Sequence, residues 1–175
     1  HIPNTPRQKL IYDKLGWEPP VFAHVPMILG PDQKRLSKRH GATDVLSYRE
    51  RGVLAKAMVN FLALVGWHGP DPDREEYFDV QELIDDFSLD GIGKSPGVFD
   101  VDKLEWLNGR HLRRFDFEEF YDRLKPFIPD EWQGNYDESY VRRVAELEQD
   151  RIRTLGEFSE VVDYFFTDDF DFDPE

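Results

Sequence analysis

The chain has 175 residues, of which 36 are acidic and 22 are basic, so its formal net charge at neutral pH is -14. A chain of this length with 39% hydrophobic residues can form one or two small domains with buried cores. The excess of acidic residues argues against a general nucleic-acid-binding protein, although it permits local basic patches. The lack of cysteine excludes disulfides and cysteine-ligated zinc, and no apolar run reaches the ~20 residues of a membrane-spanning helix.

The first part of the chain predicts a short helix followed by a buried extended segment. Thr5 is a candidate cap, Pro6 suits the first helical position, and Gly16 follows the last turn. The predicted apolar stripe of this helix consists of Leu10, Ile11 and Leu15. Residues 21–29 are apolar and bounded by proline and glycine, which predicts one buried strand or two short ones, interrupted at Pro26.

A cluster of positive charge follows at residues 34–41, which we call the basic loop. It contains four cations within six positions, with Ser37 between them and glycines at positions 30 and 41 on either side. Lysine acts as a point charge on phosphate oxygens, and arginine can bind them through two parallel hydrogen bonds. The pattern is therefore compatible with a phosphate-binding loop, and a solvated basic loop is the alternative.

Between residues 44 and 109 the caps and apolar faces predict four helices. The first is capped by Asp44 and ends before Gly52, and the second has an apolar face that ends before Gly66 and consists of Leu54, Met58, Phe61, Leu62 and Val65. The third begins with a capping box of Asp79 and Glu82, and the fourth is capped by Asp100 and ends before Gly109. Residues 88–97, which contain several glycines, predict an irregular connection. A second cationic cluster occupies residues 110–114.

From Asp116 onward the sequence predicts helices alone. Their start signals are Asp116 with Glu119, Asp137, and Thr154 with Glu157, and Pro126 ends the first of them. Residues 168–175 alternate aspartate and phenylalanine without a helical period, which predicts a poorly anchored terminus or a linker. The predicted fold class is mainly α, with an α+β portion at the N-terminal end.

Several segments resemble one family of enzymes. Residues 35–39, Arg-Leu-Ser-Lys-Arg, closely resemble the KMSKS loop of class I aminoacyl-tRNA synthetases, and residues 34–41 are similar to the form found in glutamyl-tRNA synthetases. Arg35 replaces the usual first lysine, which keeps the charge but changes the hydrogen-bond geometry. The other similar segments are residues 1–8, 48–52, 60–67, 94–100 and 104–110, of which all but the first resemble the stem-contact region of that family.

The resemblance implies a domain organisation. Residues 1–115 would be the end of the class I nucleotide-binding catalytic domain, with its KMSKS loop, followed by the helical stem-contact domain. Residues 116–175 would begin the helix-bundle domain on the anticodon side. No segment resembles the N-terminal His-Ile-Gly-His type motif, the glutamate pocket or the C-terminal anticodon cage of the family, so this chain is expected to be a fragment that is inactive alone.

The resemblance also implies site residues, cofactors and partners. Lys38 would be the catalytic residue, as the counterpart of the second lysine of the loop. The implied ATP-binding residues are Arg35, Leu36, Ser37, Lys38 and Arg39, and the candidate tRNA-binding residues are Arg49, Arg51, Lys94, Arg110, Arg113 and Arg114. ATP, accompanied by Mg²⁺ in the parent enzyme, tRNA(Glu) and L-glutamate are the implied ligands, and no metal ligand is predicted in the chain. A cytoplasmic monomer without membrane association is expected.

Other readings of the sequence stay open. A glutaminyl-tRNA synthetase is the nearest alternative. The anticodon end of that family is a β-barrel, however, and the helical signals after Asp116 argue against it. A truncated relative that glutamylates a modified tRNA base lacks the anticodon domains altogether. A non-catalytic RNA-binding module is the alternative from another class, and an upstream nucleotide-binding domain in the gene would distinguish the enzyme from it.

Overall fold

The computed structural model describes residues 1–37, 44–71, 73–74, 76–77 and 79–167. Within this part the chain is mainly helical, and no helix there is both long and apolar enough to span a membrane. The helices are α1 (Thr5–Leu15), α2 (Val45–Glu50), α3 (Ala55–Leu64), α4 (Val80–Asp86), α5 (Val101–Leu112), α6 (Phe117–Leu124), α7 (Asp130–Asn135), α8 (Glu138–Glu148) and α9 (Phe158–Val161). Strands β1 (Ile28–Leu29) and β2 (Gly97–Val98) pair in parallel, and 3₁₀ turns occupy Ile2–Asn4, Leu89–Gly91, Lys125–Phe127 and Asp163–Phe165.

Helix α1 forms where the sequence predicted it, with one change at its start. Pro6 lies in the first turn and Gly16 adopts a left-handed conformation after the last, as predicted. The prediction that Thr5 caps the helix is wrong, because Asn4 precedes the first turn and Thr5 is already helical. Its hydroxyl lies 3.0 Å from Nε2 of His24 instead. The predicted apolar stripe of this helix remains more than half exposed.

The prediction of a buried strand over residues 21–29 is also wrong. Only Ile28 and Leu29 form a strand, whereas the side chains of Val21 and Val25 are 94% and 70% exposed. The prolines at positions 19, 20 and 26 lack the N–H that a strand donates to its neighbour. The parallel pairing of Ile28 with Gly97 and of Leu29 with Val98 lies at the end of the segment predicted to be irregular.

The first of two buried clusters, the N-terminal core, is built by α2, α3 and α5. Its buried members are Tyr48, Val53, Met58, Phe61, Phe99, Leu104 and Leu107. Phe61 and Phe99 meet edge to face with ring centroids 4.9 Å apart, a favourable aromatic geometry. Asp44 and Asp100 accept hydrogen bonds from Leu46 N and Lys103 N, so the predicted caps of α2 and α5 are confirmed.

Helix α5 runs further than the sequence predicted. Gly109 was expected to follow the helix, but α5 continues through it to Leu112. Gly109 serves close packing instead, since a Cβ there would lie 3.2 Å from the Arg113 guanidinium and 3.4 Å from Cα of Arg153. The extension carries Leu112 into the second cluster, so one helix contributes to both.

The second cluster, the C-terminal core, is formed mainly by α6 to α9. Its buried members are Leu112, Phe120, Tyr121, Leu124, Ile128, Trp132, Val141, Val144, Ala145, Ile152, Leu155, Phe158, Val162 and Phe166. The predicted helices after Asp116 and Asp137 are confirmed, whereas α7 was not predicted. The helix expected after Thr154 is reduced to α9 and a 3₁₀ turn, although Glu157 does accept from Thr154 N at 3.3 Å. Residues 168–175 lie outside the described part of the chain.

Candidate functional site

A tight turn connects β1 to the basic loop. Gly30 N donates to Lys34 O at 2.8 Å, and Gln33, with φ of 60°, donates to Gly30 O at 3.0 Å. The Asp32 carboxylate accepts from Lys34 N at 3.0 Å, and Leu36 N then donates back to Ile28 O at 3.2 Å. The turn therefore folds the start of the basic loop back along β1.

The first three predicted ATP-binding residues follow this turn directly. Arg35 is exposed and forms an isolated bridge with Leu29, while Leu36 is half-buried and packs against the N-terminal core. Ser37 is also half-buried. Lys38 and Arg39 lie outside the described residues. The described part of the loop is thus fixed to the core through one apolar side chain.

Lys94 lies beside the strand that pairs with β1. It lines a cavity of about 550 Å³ together with His68, Ser95 and Lys103, and it also lines a neighbouring cavity of about 640 Å³ that includes His24. Because Ile28 pairs with Gly97, the segment that carries Lys94 enters the same small sheet from which the basic loop leaves. An exposed ammonium beside open cavities can donate hydrogen bonds to phosphate oxygens.

Two of the predicted tRNA-binding arginines already have partners within the chain. Arg110 donates to Glu76 through Nε and Nη2, at 2.9 and 2.7 Å, and Arg51 pairs with Glu105 of α5. Both arginine side chains stay nearly half exposed. The carboxylate partners are less exposed, at 22% for Glu76 and 18% for Glu105, so a phosphate at either arginine has to compete with an ion pair that is already formed.

The remaining arginines of the set differ in their surroundings. Arg113 donates to Asp150 O at 3.2 Å, and Arg114 borders a cavity of about 690 Å³ that also receives Lys56 and His111. Arg49, on α2, is exposed and has no ion-pair partner among the described residues. The structure brings Arg110 to the last turn of α5, with Arg113 and Arg114 directly after it, whereas Lys94 belongs to the loop before β2.

A buried polar network, which the sequence did not predict, supports the C-terminal end of α5. The Asn60 side-chain oxygen accepts from Tyr77 N at 2.9 Å, and its nitrogen lies 3.2 Å from Nε2 of His111. Asn60 and His111 are both buried. Asn60 is buried but lies away from the apolar face that the sequence predicted for α3, so no sequence pattern pointed to this network.

The surroundings of His111 favour the neutral form of its imidazole. Burial lowers its pKa first, and the nearby cations Arg114 and Lys56 lower that pKa further, against a smaller opposing effect of Glu76. A neutral ring can accept the Asn60 N–H at Nε2. The ring therefore acts as an acceptor in the network around Tyr77.

We expect the stability of the protein to depend on pH through His111. A histidine whose folded pKa lies below 6.5 binds fewer protons when folded, so its full contribution is present above the unfolded pKa and is lost as the pH falls below it. For one proton the slope of unfolding free energy against pH reaches at most about 1.4 kcal/mol per pH unit. Denaturant unfolding between about pH 7.5 and 5.5 measures it.

The matched variant for this measurement is His111→Gln, which removes the titration. All other ionisable groups are common to both proteins, so the difference between the two slopes isolates the imidazole. Equal slopes for the two proteins over this range would contradict the expectation.

Comparison with known proteins identifies the family. Residues 1–106 match the family of tRNA synthetases class I (E and Q), catalytic domain, and residues 119–175 match an anticodon binding domain. The chain belongs to the class I tRNA synthetase family of the E and Q type. The resemblance drawn from the sequence is thereby confirmed.

Individual relatives are named glutamate–tRNA ligases. The protein from Syntrophobacter fumaroxidans is 45% identical over 175 residues, and a second from Koribacter versatilis is 46% identical over 181 residues; each match covers 100% of this chain and 37% of the relative. The crystal structure of glutamate-tRNA synthetase from Elizabethkingia anophelis superposes with a TM-score of 0.84 at 26% identity, covering 99% of this chain and 38% of that one. The chain therefore spans just over a third of the length of these relatives.

Proposed function

We propose that the protein to which this chain belongs is a glutamate–tRNA ligase, which activates glutamate with ATP and transfers it to tRNA(Glu). The observation that carries the proposal is the 45% identity across the whole chain to a relative of that name. In this proposal the chain supplies the KMSKS loop and contacts to the stem of the tRNA. The proposal also includes that the protein is a cytoplasmic monomer, and this part of it rests on the family resemblance alone.

The basic loop has the chemistry that glutamate activation requires. A carboxylate oxygen of glutamate forms a bond to the α-phosphorus of ATP while the bond from that phosphorus to the bridging oxygen breaks and pyrophosphate leaves. Negative charge grows on the leaving group, and fixed cations stabilise it. In the proposal Arg35 and Ser37, which follow the turn at residues 30–34, contribute together with Lys38 and Arg39, the next residues in the sequence.

Magnesium is assigned no protein ligand in this chain. The described residues hold no group of three acidic, histidine or cysteine side chains that could bind a metal ion. Mg²⁺ would accompany ATP through its phosphates, as is usual where the metal is bound with a nucleotide. Every role proposed for the basic loop is therefore a contact of protein side chains with phosphate oxygens.

The proposed division of the chain places residues 1–115 with the catalytic and stem-contact part and residues 116–175 with the helical anticodon-side part. Two buried clusters support this division, since one is confined to residues before 108 and the other begins at Leu112. Helix α5 is shared by both clusters. The stem contacts would then lie close to the point where the two parts meet.

Replacing Arg110 with glutamine is expected to weaken tRNA binding by the whole protein and to make that binding less dependent on salt. Each phosphate contact releases counterions, so the slope of log affinity against log salt should fall by ~0.9 when one contact to duplex RNA is lost. Filter binding of tRNA(Glu) over a range of salt concentrations measures both quantities. The change also leaves the negative charge of Glu76 unpaired, and this charge repels phosphate and so weakens tRNA binding further.

Arg123→Gln is the matched control. The Arg123 side chain is 46% exposed and pairs with Glu119, much as the Arg110 side chain is 45% exposed and pairs with Glu76. Arg123 lies on α6, however, outside the set of proposed tRNA contacts. The control should leave affinity and slope unchanged. Equal effects of the two variants would show a general charge effect instead of a contact at Arg110.

The proposed function is tested by charging assays. Purified whole protein, ATP and tRNA(Glu) are incubated with labelled glutamate or, in parallel, labelled glutamine. Ester-linked glutamate on the tRNA is the expected product, and the 175-residue chain alone should form none. Charging with glutamine, or label attached to a tRNA base, would establish one of the two enzyme alternatives instead.

A further inference from the structure

One buried side chain lies between the N-terminal and C-terminal cores. Asn108 is on α5, one residue after Leu107 of the N-terminal core and four residues before Leu112 of the C-terminal core, and it is fully buried. Its charge-free amide is surrounded by backbone from two distant parts of the chain. Residues 51–54 approach it from one side and residues 153–156 from the other; together with Asn108 we call them the junction.

Both ends of the Asn108 amide are used. Its oxygen accepts from Leu54 N at 2.8 Å, where α3 begins. Its nitrogen donates to Arg153 O at 2.6 Å and lies 3.5 Å from Gly52 O. A buried amide satisfied in this way is costly to replace, because its removal leaves buried backbone groups without partners.

The two backbone segments of the junction are also joined directly. Leu155 N donates to Gly52 O at 3.3 Å, and Gly156 N donates to Arg51 O at 3.2 Å. Leu155 is buried in the C-terminal core, and Leu54 packs against that core from the other segment. The hydrogen bonds therefore connect the start of α3, the middle of α5 and the C-terminal helices at one place.

We infer that Asn108 is a positioning residue that holds the two cores at one fixed angle, so that the candidate stem contacts keep one orientation relative to residues 119–175, which match an anticodon binding domain. The chain between the two cores offers a reason for such a device. A single 12-residue helix shared by two small cores fixes their separation, while their rotation about its axis is limited by side contacts. The junction supplies such contacts, and the Asn108 side chain bonds to both of its backbone segments.

The angle itself can be measured on the 175-residue chain, without reference to any activity. The chain contains no cysteine, so spin labels can be placed at Val59→Cys on α3 and Leu147→Cys on α8, which are 42% and 62% exposed. Asn108→Asp keeps the acceptor for Leu54 N but replaces the donor to Arg153 O by a carboxylate oxygen. We expect the distribution of label-to-label distances to broaden or shift in this variant.

The matched control is Val144→Ala, which weakens the C-terminal core without touching the junction. It should keep the distance distribution of the parent chain. An unchanged distribution in a folded Asn108→Asp chain would overturn the inference. Should that variant fail to fold, amide hydrogen exchange of the parent chain decides: the amides of Leu54 and Leu155 should exchange only with global unfolding, and faster exchange would overturn it.

The consequence for RNA rests on the proposed function and has its own readout. In the whole protein, Asn108→Asp should raise KM for tRNA about tenfold, a size typical of coupling between two sites, with KM for ATP unchanged. Val144→Ala should change neither. A shifted distance distribution with an unchanged KM for tRNA would overturn the role in presenting RNA contacts, whereas absence of glutamate charging by the parent protein would count against the proposed function instead.

Discussion

Replacing Gly52 with alanine is expected to destabilise the protein by about 3–6 kcal/mol, from backbone strain and from two broken junction hydrogen bonds. Gly52 has φ of +80°, and a Cβ there would lie 2.6 Å from Gly156 N and 2.7 Å from the backbone nitrogen of Leu155. Because those neighbours are backbone atoms, the two segments of the junction would have to separate. A loss of this size is a large share of the 5–15 kcal/mol of a typical domain.

Thermal or denaturant unfolding of the 175-residue chain measures the effect. For a chain of this length a loss of 3–6 kcal/mol corresponds to a fall in Tm of roughly 6–24 °C. The control is Gly66→Ala, because Gly66 also has a positive φ, of +100°, but a Cβ there would meet nothing within 4 Å. That variant carries the cost of backbone strain alone, about 1 kcal/mol or a little more.

The difference between the two glycine variants therefore isolates the close approach of the two segments. Equal losses would show that positive φ accounts for the whole effect and that the junction tolerates a methyl group. The expected order, with Gly52→Ala far worse, would locate an essential backbone contact between residues 51–52 and 155–156.

The helix starts at Asp44, Asp79, Asp100 and Asp116 were predicted correctly because the interactions that set them are local. The Asp79 carboxylate accepts from Gln81 N and the Glu82 side chain accepts from Asp79 N, so both halves of the predicted capping box are present. Such contacts span two or three residues and depend little on the remainder of the chain. The apolar face of α3 was predicted only in part, since Met58 and Phe61 are buried whereas Leu62 is 41% exposed.

Interactions between distant residues could not be predicted from the pattern. The partners of Asn108 and Asn60 lie 45 to 56 and 17 to 51 residues away, and an asparagine in a helix gives no indication of which backbone it will meet. The ion pair of Arg110 with Glu76 spans 34 residues. The prediction of a buried strand over residues 21–29 was wrong because an apolar segment forms a buried strand only where a neighbouring strand is available to pair with it.

The candidate site divides in the same way. The prediction that the basic loop binds phosphate depended on the order of residues 34–41, which can be read directly from the sequence. The attachment of this loop to the protein could not be predicted in this way, because the turn at residues 30–34 and the packing of Leu36 on the N-terminal core form only in the folded chain. The packing of Leu36 therefore fixes the described start of the basic loop next to the N-terminal core.

Replacing Lys38 with alanine in the whole protein is expected to lower the rate of glutamate activation by roughly 10²–10³, which corresponds to ~3–4 kcal/mol for one lost charged contact to the developing negative charge. In the proposed reaction that charge grows on pyrophosphate as it leaves, so the ammonium should stabilise the transition state more than bound ATP. Turnover should therefore fall far more than KM for ATP rises. Single-turnover kinetics with saturating ATP and tRNA(Glu) measure the chemical step directly.

Three further variants separate the role of Lys38 from general loop charge. Lys34→Ala removes an exposed lysine of the same loop whose backbone is fixed in the turn before it, and its effect should be small. Lys38→Arg should recover only part of the rate, because a planar guanidinium cannot follow the oxygens as a compact ammonium does. Arg39→Ala should cost less than Lys38→Ala if Arg39 only orients the loop. Activation by Lys38→Ala at the parental rate would make Lys38 an ordinary solvated lysine and move the catalytic charge elsewhere in the protein.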